Sequence, residues 1–154
     1  MSRLFILGAG PVGVQLSQLA AQLDFEVTVL DERASLMTPE RFPAGVQLVC
    51  GDFDVLLPEL VTTPDDFVAI VTQVWQRDAR ALQLLVERPL AYLGLIGCQR
   101  KLGEILPQLA EAGASSAAIA RLKAPIGLKI GSKTPAEIAV SIAAELIAVR
   151  RQTA

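Results

Sequence analysis

Three glycines near the start of the chain have the spacing of a turn that binds anions. The segment Gly8-Ala9-Gly10-Pro11-Val12-Gly13 matches the pattern G-x-G-x-x-G and directly follows an apolar run, residues 4–7. In this pattern the first glycine permits a tight turn, the second lets a pyrophosphate approach the backbone, and the third lets a helix pack closely on a strand. The amino end of that helix offers unpaired N–H groups and the positive end of its dipole to the anion.

Pro11 removes one backbone donor from this turn. Proline is sterically acceptable in the first turn of a helix, and the amides of Val12 and Gly13 remain as donors. We therefore predict that the segment binds a nucleotide or dinucleotide. The alternative is that the three glycines serve only turn geometry and helix packing.

An acidic residue follows the next apolar run, where dinucleotide-binding folds hold the adenosine ribose. Asp31 comes directly after residues 26–30, roughly 20 residues beyond the glycines. A carboxylate there accepts hydrogen bonds from the ribose and repels a 2′-phosphate, which favours NAD over NADP. Arg33 leaves NADP open, because a guanidinium binds a 2′-phosphate or stacks on adenine.

Thr72 and Gln73 are candidate binding residues at the end of the fourth apolar run. Open α/β sheets form their ligand crevice at the carboxyl ends of the strands, which favours ligand contact for both residues. Ordinary strand termination is the alternative. Trp75 is able to stack on a ring, although an aromatic residue at a strand end more often serves packing.

A second glycine-containing turn follows the fifth apolar run. Gly97, Cys98, Arg100 and Lys101 lie between that run and a helical segment. They predict a clamp for a ligand phosphate or a pterin, with a solvated first helical turn as the alternative. The helix terminus and Arg100 are expected to lower the pKa of the Cys98 thiol.

Short apolar runs alternate with segments of helical periodicity, which is typical of βαβ units around a parallel sheet. The predicted strands are residues 4–7, 26–30, 47–50, 67–72 and 92–96. The predicted helices are residues 11–23, 55–60, 77–87, 100–112, 116–122 and 136–150. We expect a single α/β domain over residues 1–154, a Rossmann-like doubly wound parallel sheet with strand order 3-2-1-4-5.

Two local features refine this prediction. The near-continuous apolar runs suit strands buried on both faces, and Cys50 is expected to be a small buried hydrophobe. Thr134-Pro135-Ala136-Glu137 has the pattern of a capping box at the start of the last helix.

Composition excludes several classes of function. The 154 residues contain no His and two Cys, which excludes imidazole acid–base chemistry, Ser-His-Asp catalysis and His-ligated zinc. A net charge of −2 and a pI near 5.2 lack the basic footprint of nucleic-acid binding. The apolar runs are too short for a signal-peptide core or a membrane span, so we expect a cytoplasmic protein. An apolar fraction of 52% predicts a homodimer or a permanent partner.

Several longer segments resemble one known family, the XdhC/CoxI xanthine dehydrogenase accessory proteins. The similarity rests on Leu30-Asp31-Glu32-Arg33, Pro39-Glu40-Arg41-Phe42-Pro43, the run from Tyr92 to Lys101 and the run from Ala124 to Ile142. It extends over essentially the whole chain and corresponds to the Rossmann domain at the carboxyl end of family members.

The resemblance implies a chaperone-like accessory protein more than an enzyme. Family members bind the molybdenum cofactor, assist its sulfuration and pass it to a molybdenum hydroxylase of the xanthine dehydrogenase type. Many also carry an amino-terminal domain that these residues do not match. Pro11, Gln73 and Trp75 stand where the family commonly has His, and Cys98 stands where it usually has Ser.

Two other functions are compatible with the glycine motif. A nucleotide-sensing regulatory module of the potassium-transport type shares the Gly-Ala-Gly-x-Val-Gly turn, the acidic residue after the second strand and the Gly51-Asp52 pair. A small NAD-dependent oxidoreductase is the other alternative, although the chain offers no His or Tyr-Lys acid–base pair.

Overall fold

Five parallel strands form one sheet in the computed structural model, which describes residues 1–152. The strands are β1 (Ser2–Leu7), β2 (Phe25–Asp31), β3 (Gln47–Cys50), β4 (Phe67–Ile70) and β5 (Tyr92–Leu95). The helices are α1 (Pro11–Gln22), α2 (Phe53–Glu59), α3 (Trp75–Leu85), α4 (Gln99–Glu111), α5 (Ser116–Arg121) and α6 (Pro135–Gln152). The strand order is β3-β2-β1-β4-β5, so the predicted Rossmann-like topology is confirmed.

Helices cover both faces of the sheet because successive side chains of a strand point to opposite faces. Leu4 and Ile6 of β1 pack in one apolar cluster with α1 and α6, whereas Phe5 and Leu7 pack in a second cluster with α2 to α5. Val12, Leu16 and Ala20 of α1 are buried in the first cluster. Among residues 1–152, no helix combines the length and apolar character needed to cross a bilayer.

β3 is an edge strand, and the expectation that it would be buried on both faces is wrong. Gln47, Val49 and Cys50 are exposed, and β3 pairs with β2 on one side only. Cys50 is therefore an exposed thiol and not a small buried hydrophobe; its Sγ lies 3.8 Å from the carbonyl oxygen of Glu32. The other edge strand, β5, is buried, and its outer edge exchanges backbone hydrogen bonds with Lys123.

The ends of several elements differ from the prediction for local reasons. β4 ends at Ile70, two residues early; the Thr72 amide donates to the Asp78 carboxylate instead of a neighbouring strand, and Gln73 has φ of 62°. α2 begins at Phe53 because the Asp52 carboxylate accepts a hydrogen bond from the Asp54 amide at 2.8 Å. Two short 3-10 turns, Ala34–Leu36 and Pro39–Arg41, were not predicted.

The capping box of α6 is confirmed. The Glu137 amide donates to Thr134 Oγ1 at 3.2 Å, and Glu137 Oε1 accepts from the Thr134 amide at 3.1 Å. These reciprocal bonds satisfy backbone donors that the helix itself leaves unpaired.

Two glycine-to-alanine substitutions are expected to change stability in opposite directions. A Cβ on Gly13 would lie 1.9 Å from the carbonyl oxygen of Gly8, so Gly13→Ala forces α1 away from β1 and should cost about 3 kcal/mol of unfolding free energy. A Cβ on Gly103, in the exposed face of α4, meets no atom within 4 Å, so Gly103→Ala should add about 0.5–1 kcal/mol through helix propensity. Urea denaturation of both variants measures the difference, and equal effects would contradict the close approach at Gly13.

Candidate functional site

The glycine loop, residues 8–13, lies where β1 ends between β2 and β4. The Gly8 amide donates to the Leu30 carbonyl at 2.9 Å, which holds the loop against β2. Gly8 has φ of 131°, and a Cβ on it would lie 2.7 Å from the Thr72 nitrogen after β4. The structure therefore brings the predicted residues Gly8, Gly13 and Thr72 together at the point where the strand order reverses.

Gly10 differs from the other two glycines of the motif. Its φ of −76° is open to any residue, and a Cβ on it would meet no atom within 4 Å beyond its chain neighbours. Gly10 is the N-cap of α1 and supplies no side-chain hydrogen bond to the helix. Because the first turn of a helix has no intrahelical partners for its amides, the Val12 and Gly13 N–H groups remain as donors beside this free space.

Asp31 is held inside the protein by hydrogen bonds to its own neighbourhood. Its Oδ2 accepts from the Ala9 amide at 2.8 Å and from Arg33 Nη2 at 2.6 Å. Its Oδ1 accepts from the Arg33 amide at 3.0 Å and from Arg33 Nε at 2.9 Å. Burial by itself raises the pKa of Asp31, but the bonds from Arg33 and Ala9 prevail and keep that pKa below its ordinary value.

Arg41 is a structural residue of the site to which the sequence reasoning gave no role. Its Nη1 donates to the Ala9 carbonyl at 2.7 Å and also to the Leu36 carbonyl. It thereby ties the two 3-10 turns to the glycine loop. The only sequence signal was the Pro39–Pro43 segment of the family resemblance, which did not indicate what Arg41 contacts.

Asp78 is a second buried carboxylate that the sequence reasoning missed. It lies in the first turns of α3 and accepts hydrogen bonds from Thr72 Oγ1 at 2.6 Å, the Thr72 amide at 3.0 Å and the Gln73 amide at 3.1 Å. Burial raises the pKa of Asp78 to about 6 despite these bonds. The sequence did offer one sign of Asp78: it is an acidic residue in the first turns of a helix that follows a buried strand.

A cavity of about 750 Å³ opens beside Asp78 at the ends of β4 and β5. Four of the predicted binding residues line it: Gln73, Gly97, Cys98 and Lys101. The opposite wall is the segment 125–132, which precedes α6. Within the described residues, the glycine loop is not part of the lining, so the predicted site residues fall into two groups. Arg100 is exposed and outside the lining.

The wall of this cavity is anchored to the end of the sheet. A Cβ on Gly94 would lie 2.6 Å from the Ile126 side chain, so a glycine in β5 is what lets the segment pack closely. Glu145 of α6 accepts from the Gly127 amide at 3.0 Å and from the Tyr92 hydroxyl at 2.6 Å. These contacts hold the cavity wall against β5 and α6.

Cys98 is the N-cap of α4 and is exposed at the cavity. The backbone amides of Lys101 and Arg100, together with the Arg100 charge, lower the pKa of its thiol, as the sequence predicted. In the part of the chain from residue 1 to 152, no three His, Cys, Asp or Glu side chains are grouped so as to hold a metal ion.

Asp78 is expected to make stability fall as pH rises. The folded state retains its proton up to about pH 6, whereas an unfolded Asp releases it near 3.8, so the contribution declines between about pH 4 and pH 7. The difference in unfolding free energy between wild type and Asp78→Asn should fall by up to about 3 kcal/mol over that range. Urea titrations at several pH values measure this, and a difference that does not change with pH would contradict the raised pKa.

Comparisons with known proteins agree with the family resemblance. A model of the XdhC Rossmann domain matches residues 4–146. The chain is 41% identical over 149 residues to "Uncharacterized protein YqeB" of Escherichia coli (strain K12), covering 96% of this chain and 27% of that protein. It is 34% identical over 152 residues to a probable xanthine dehydrogenase subunit of Bacillus subtilis (strain 168), covering 99% of this chain and 44% of that protein. The chain therefore spans less than half the length of these relatives.

Solved structures give the same result. The crystal structure of a xanthine dehydrogenase from Bacillus halodurans superposes with a TM-score of 0.87 at 31% identity, over 99% of this chain and 44% of that one. The structure of chuY from Escherichia coli, with a TM-score of 0.54 at 16% identity over 96% of this chain and 90% of that one, shares the fold alone. Because the family model spans nearly the whole sequence, the chain belongs to the XdhC Rossmann domain family.

Proposed function

We propose that this domain binds a dinucleotide, NAD or NADP, at the glycine loop. We also propose that it serves an accessory protein that assists maturation of the molybdenum cofactor or its insertion into a xanthine dehydrogenase-type hydroxylase. The free space at Gly10 carries the first part of the proposal. The relatives carry the second part, since one is named as part of a probable xanthine dehydrogenase and another is a xanthine dehydrogenase of known structure.

The three glycines of the motif differ in whether packing requires them. Packing alone accounts for Gly8 and Gly13, because a Cβ on either would collide with backbone atoms. Packing does not account for Gly10, where the fold has room for a side chain. A ligand that must approach the backbone supplies the missing reason for a glycine there.

The electrostatics of the loop support an anionic ligand. The amino ends of α2, α5 and α6 are capped by the side chains of Asp52, Ser115 and Thr134. The amino end of α1, like those of α3 and α4, has no side-chain cap, so its unpaired amides and the positive end of its dipole face the space at Gly10. A pyrophosphate bound there satisfies these donors.

The cavity at the end of β5 supports a second ligand group beside the pyrophosphate. Lys101 and Lys129 provide positive charge, and Trp75 and Ile126 provide apolar surface for a planar ring. This lining suits either the far half of a dinucleotide or the pterin and phosphate of a molybdenum cofactor, which then brings its own redox chemistry. The roles of Gln73, Gly97, Cys98 and Lys101 remain proposals of ligand contact.

The first experiment is a thermal-shift titration of Gly10→Asp and Gly10→Asn with NAD and NADP. Both residues are good N-caps, so both variants should keep a wild-type melting temperature in the absence of ligand. A dinucleotide at a hundred times its Kd should stabilise wild type by about 2.7 kcal/mol. Gly10→Asp should lose this shift, because its carboxylate fills the space at Gly10 and repels the pyrophosphate.

The paired variant and a second ligand sharpen the test. Gly10→Asn has the size of Asp without its charge, so it should lose less affinity than Gly10→Asp. Equal dinucleotide shifts in wild type and Gly10→Asp would contradict binding at the glycine loop. Molybdopterin should shift wild type and Gly10→Asp alike but not Lys101→Glu, and absence of a shift in wild type would contradict the cofactor role.

We also propose that the protein acts as a homodimer in the cytoplasm. Large apolar side chains remain exposed away from the cavity, including Val55 at 65% and Val61 at 78%, and a second copy would cover such surface. Sedimentation equilibrium at high micromolar concentration should give twice the monomer mass. A monomer at that concentration would contradict the dimer and leave the ligand proposals unaffected.

A further inference from the structure

The acceptor predicted for the adenosine ribose has no capacity left for it. A carboxylate offers about four lone-pair positions, and the two oxygens of Asp31 accept four hydrogen bonds from Ala9 and Arg33. The Asp31 side chain is also only 1% exposed. The hydroxyls of an unphosphorylated ribose therefore find no free acceptor at this position.

Arg33 lies between Asp31 and the solvent and keeps donors to spare. A guanidinium carries five N–H groups, and two of its nitrogens, Nε and Nη2, bond to Asp31. Among residues 1–152, no atom accepts a hydrogen bond from Nη1, and the Arg33 side chain is 28% exposed. The group that meets an incoming ribose is therefore a cation with free donors, fixed in place by a buried carboxylate.

The other two carboxylates near Arg33, those of Glu32 and Asp78, have bonding partners of their own. Glu32, the acidic residue between the pair, forms an ion pair with Arg77 of α3. Arg41 adds a positive charge on the other side of Ala9, where it donates to the loop carbonyl. Asp78 also influences Arg33 from across the site, but its own hydrogen bonds go to Thr72 and Gln73. With Asp78 ionised at neutral pH, the carboxylates of Asp31, Glu32 and Asp78 balance the charges of Arg33, Arg41 and Arg77. What distinguishes the site is therefore the position of the free Nη1 donor of Arg33 and not a net positive charge.

We propose that Arg33 makes the glycine-loop site selective for a 2′-phosphorylated ribose, and hence for NADP over NAD. The inference rests on the proposed dinucleotide binding and deepens it. A 2′-phosphate takes charge-assisted hydrogen bonds from Nη1, which matches guanidinium geometry. Asp31 acts as the positioning residue for Arg33. The proposed selectivity for NADP is the opposite of the selectivity for NAD that the position of Asp31 in the sequence favoured.

Isothermal titration calorimetry with two ligand pairs tests the proposal. NADP against NAD, and adenosine 2′,5′-bisphosphate against AMP, each differ only by the phosphate on the 2′-oxygen. Wild type should bind the phosphorylated member of each pair about tenfold more tightly or better. In Arg33→Gln that ratio should fall to about one or below, because the phosphate loses its cation and Asp31 regains room for ribose hydroxyls.

Two further variants separate selectivity from stability. Arg33→Gln leaves the buried Asp31 carboxylate with fewer hydrogen-bond partners, which lowers stability. The double variant Asp31→Asn/Arg33→Gln also removes the buried charge and should fold. The double variant should show the same loss of preference for the 2′-phosphate. Arg77→Gln removes a nearby positive charge without touching Asp31, and its affinity ratio should stay close to that of wild type.

The outcomes distinguish the two proposals. If wild type binds NAD as tightly as NADP, or if the affinity ratio survives in both Arg33 variants, the selectivity inference is overturned while dinucleotide binding stands. If wild type binds none of the four ligands, the proposed dinucleotide binding itself is overturned, and the role of Arg33 with it.

Discussion

The close approach of α1 to the end of β1 is the constraint on which the site depends. The backbones of Gly8 and Gly13 are in direct contact. A Cβ on Gly13 would collide with the Gly8 carbonyl, and a Cβ on Gly8 would collide with the backbone of Val71 and Thr72 after β4. This contact brings the amino end of α1 to the carboxyl edge of the sheet, beside β2 on one side and Thr72 on the other. Without it, the amides of α1 would not face the crevice at all.

The two buried carboxylates at this edge behave differently for a physical reason. Asp31 is neutralised by a bidentate guanidinium as well as by backbone amides, so its pKa stays low and it remains ionised. Asp78 receives only neutral donors from Thr72 and Gln73, and these do not offset the cost of burying its charge. The same residue type thus provides a fixed anchor on one side of the crevice and a group that titrates near pH 6 on the other.

The candidate site has two parts that different regions of the chain build. The glycine loop, Asp31 and Arg33 belong to the first βαβ unit. The cavity beside Asp78 requires the end of β5 and the segment 125–132, which Gly94 and Glu145 hold together. A ligand that spans both parts would cross the point where the strand order reverses, which is the usual ligand position in open α/β sheets.

Local signals in the sequence determined most of the fold. Apolar runs and helical periodicity predicted the five strands, the six helices and their order, and the capping box at Thr134 acts within four residues. The G-x-G-x-x-G spacing likewise predicted the turn after β1, because its mechanism is local. Only the tertiary structure decided what depends on residues far apart: the exposure of Cys50 on an edge strand, the bond from Arg41 to Ala9, and the cavity between β5 and segment 125–132. It also decided that the Asp31 carboxylate accepts from the Ala9 amide, because these two residues lie 22 positions apart in the sequence and meet only when β1 and β2 pair.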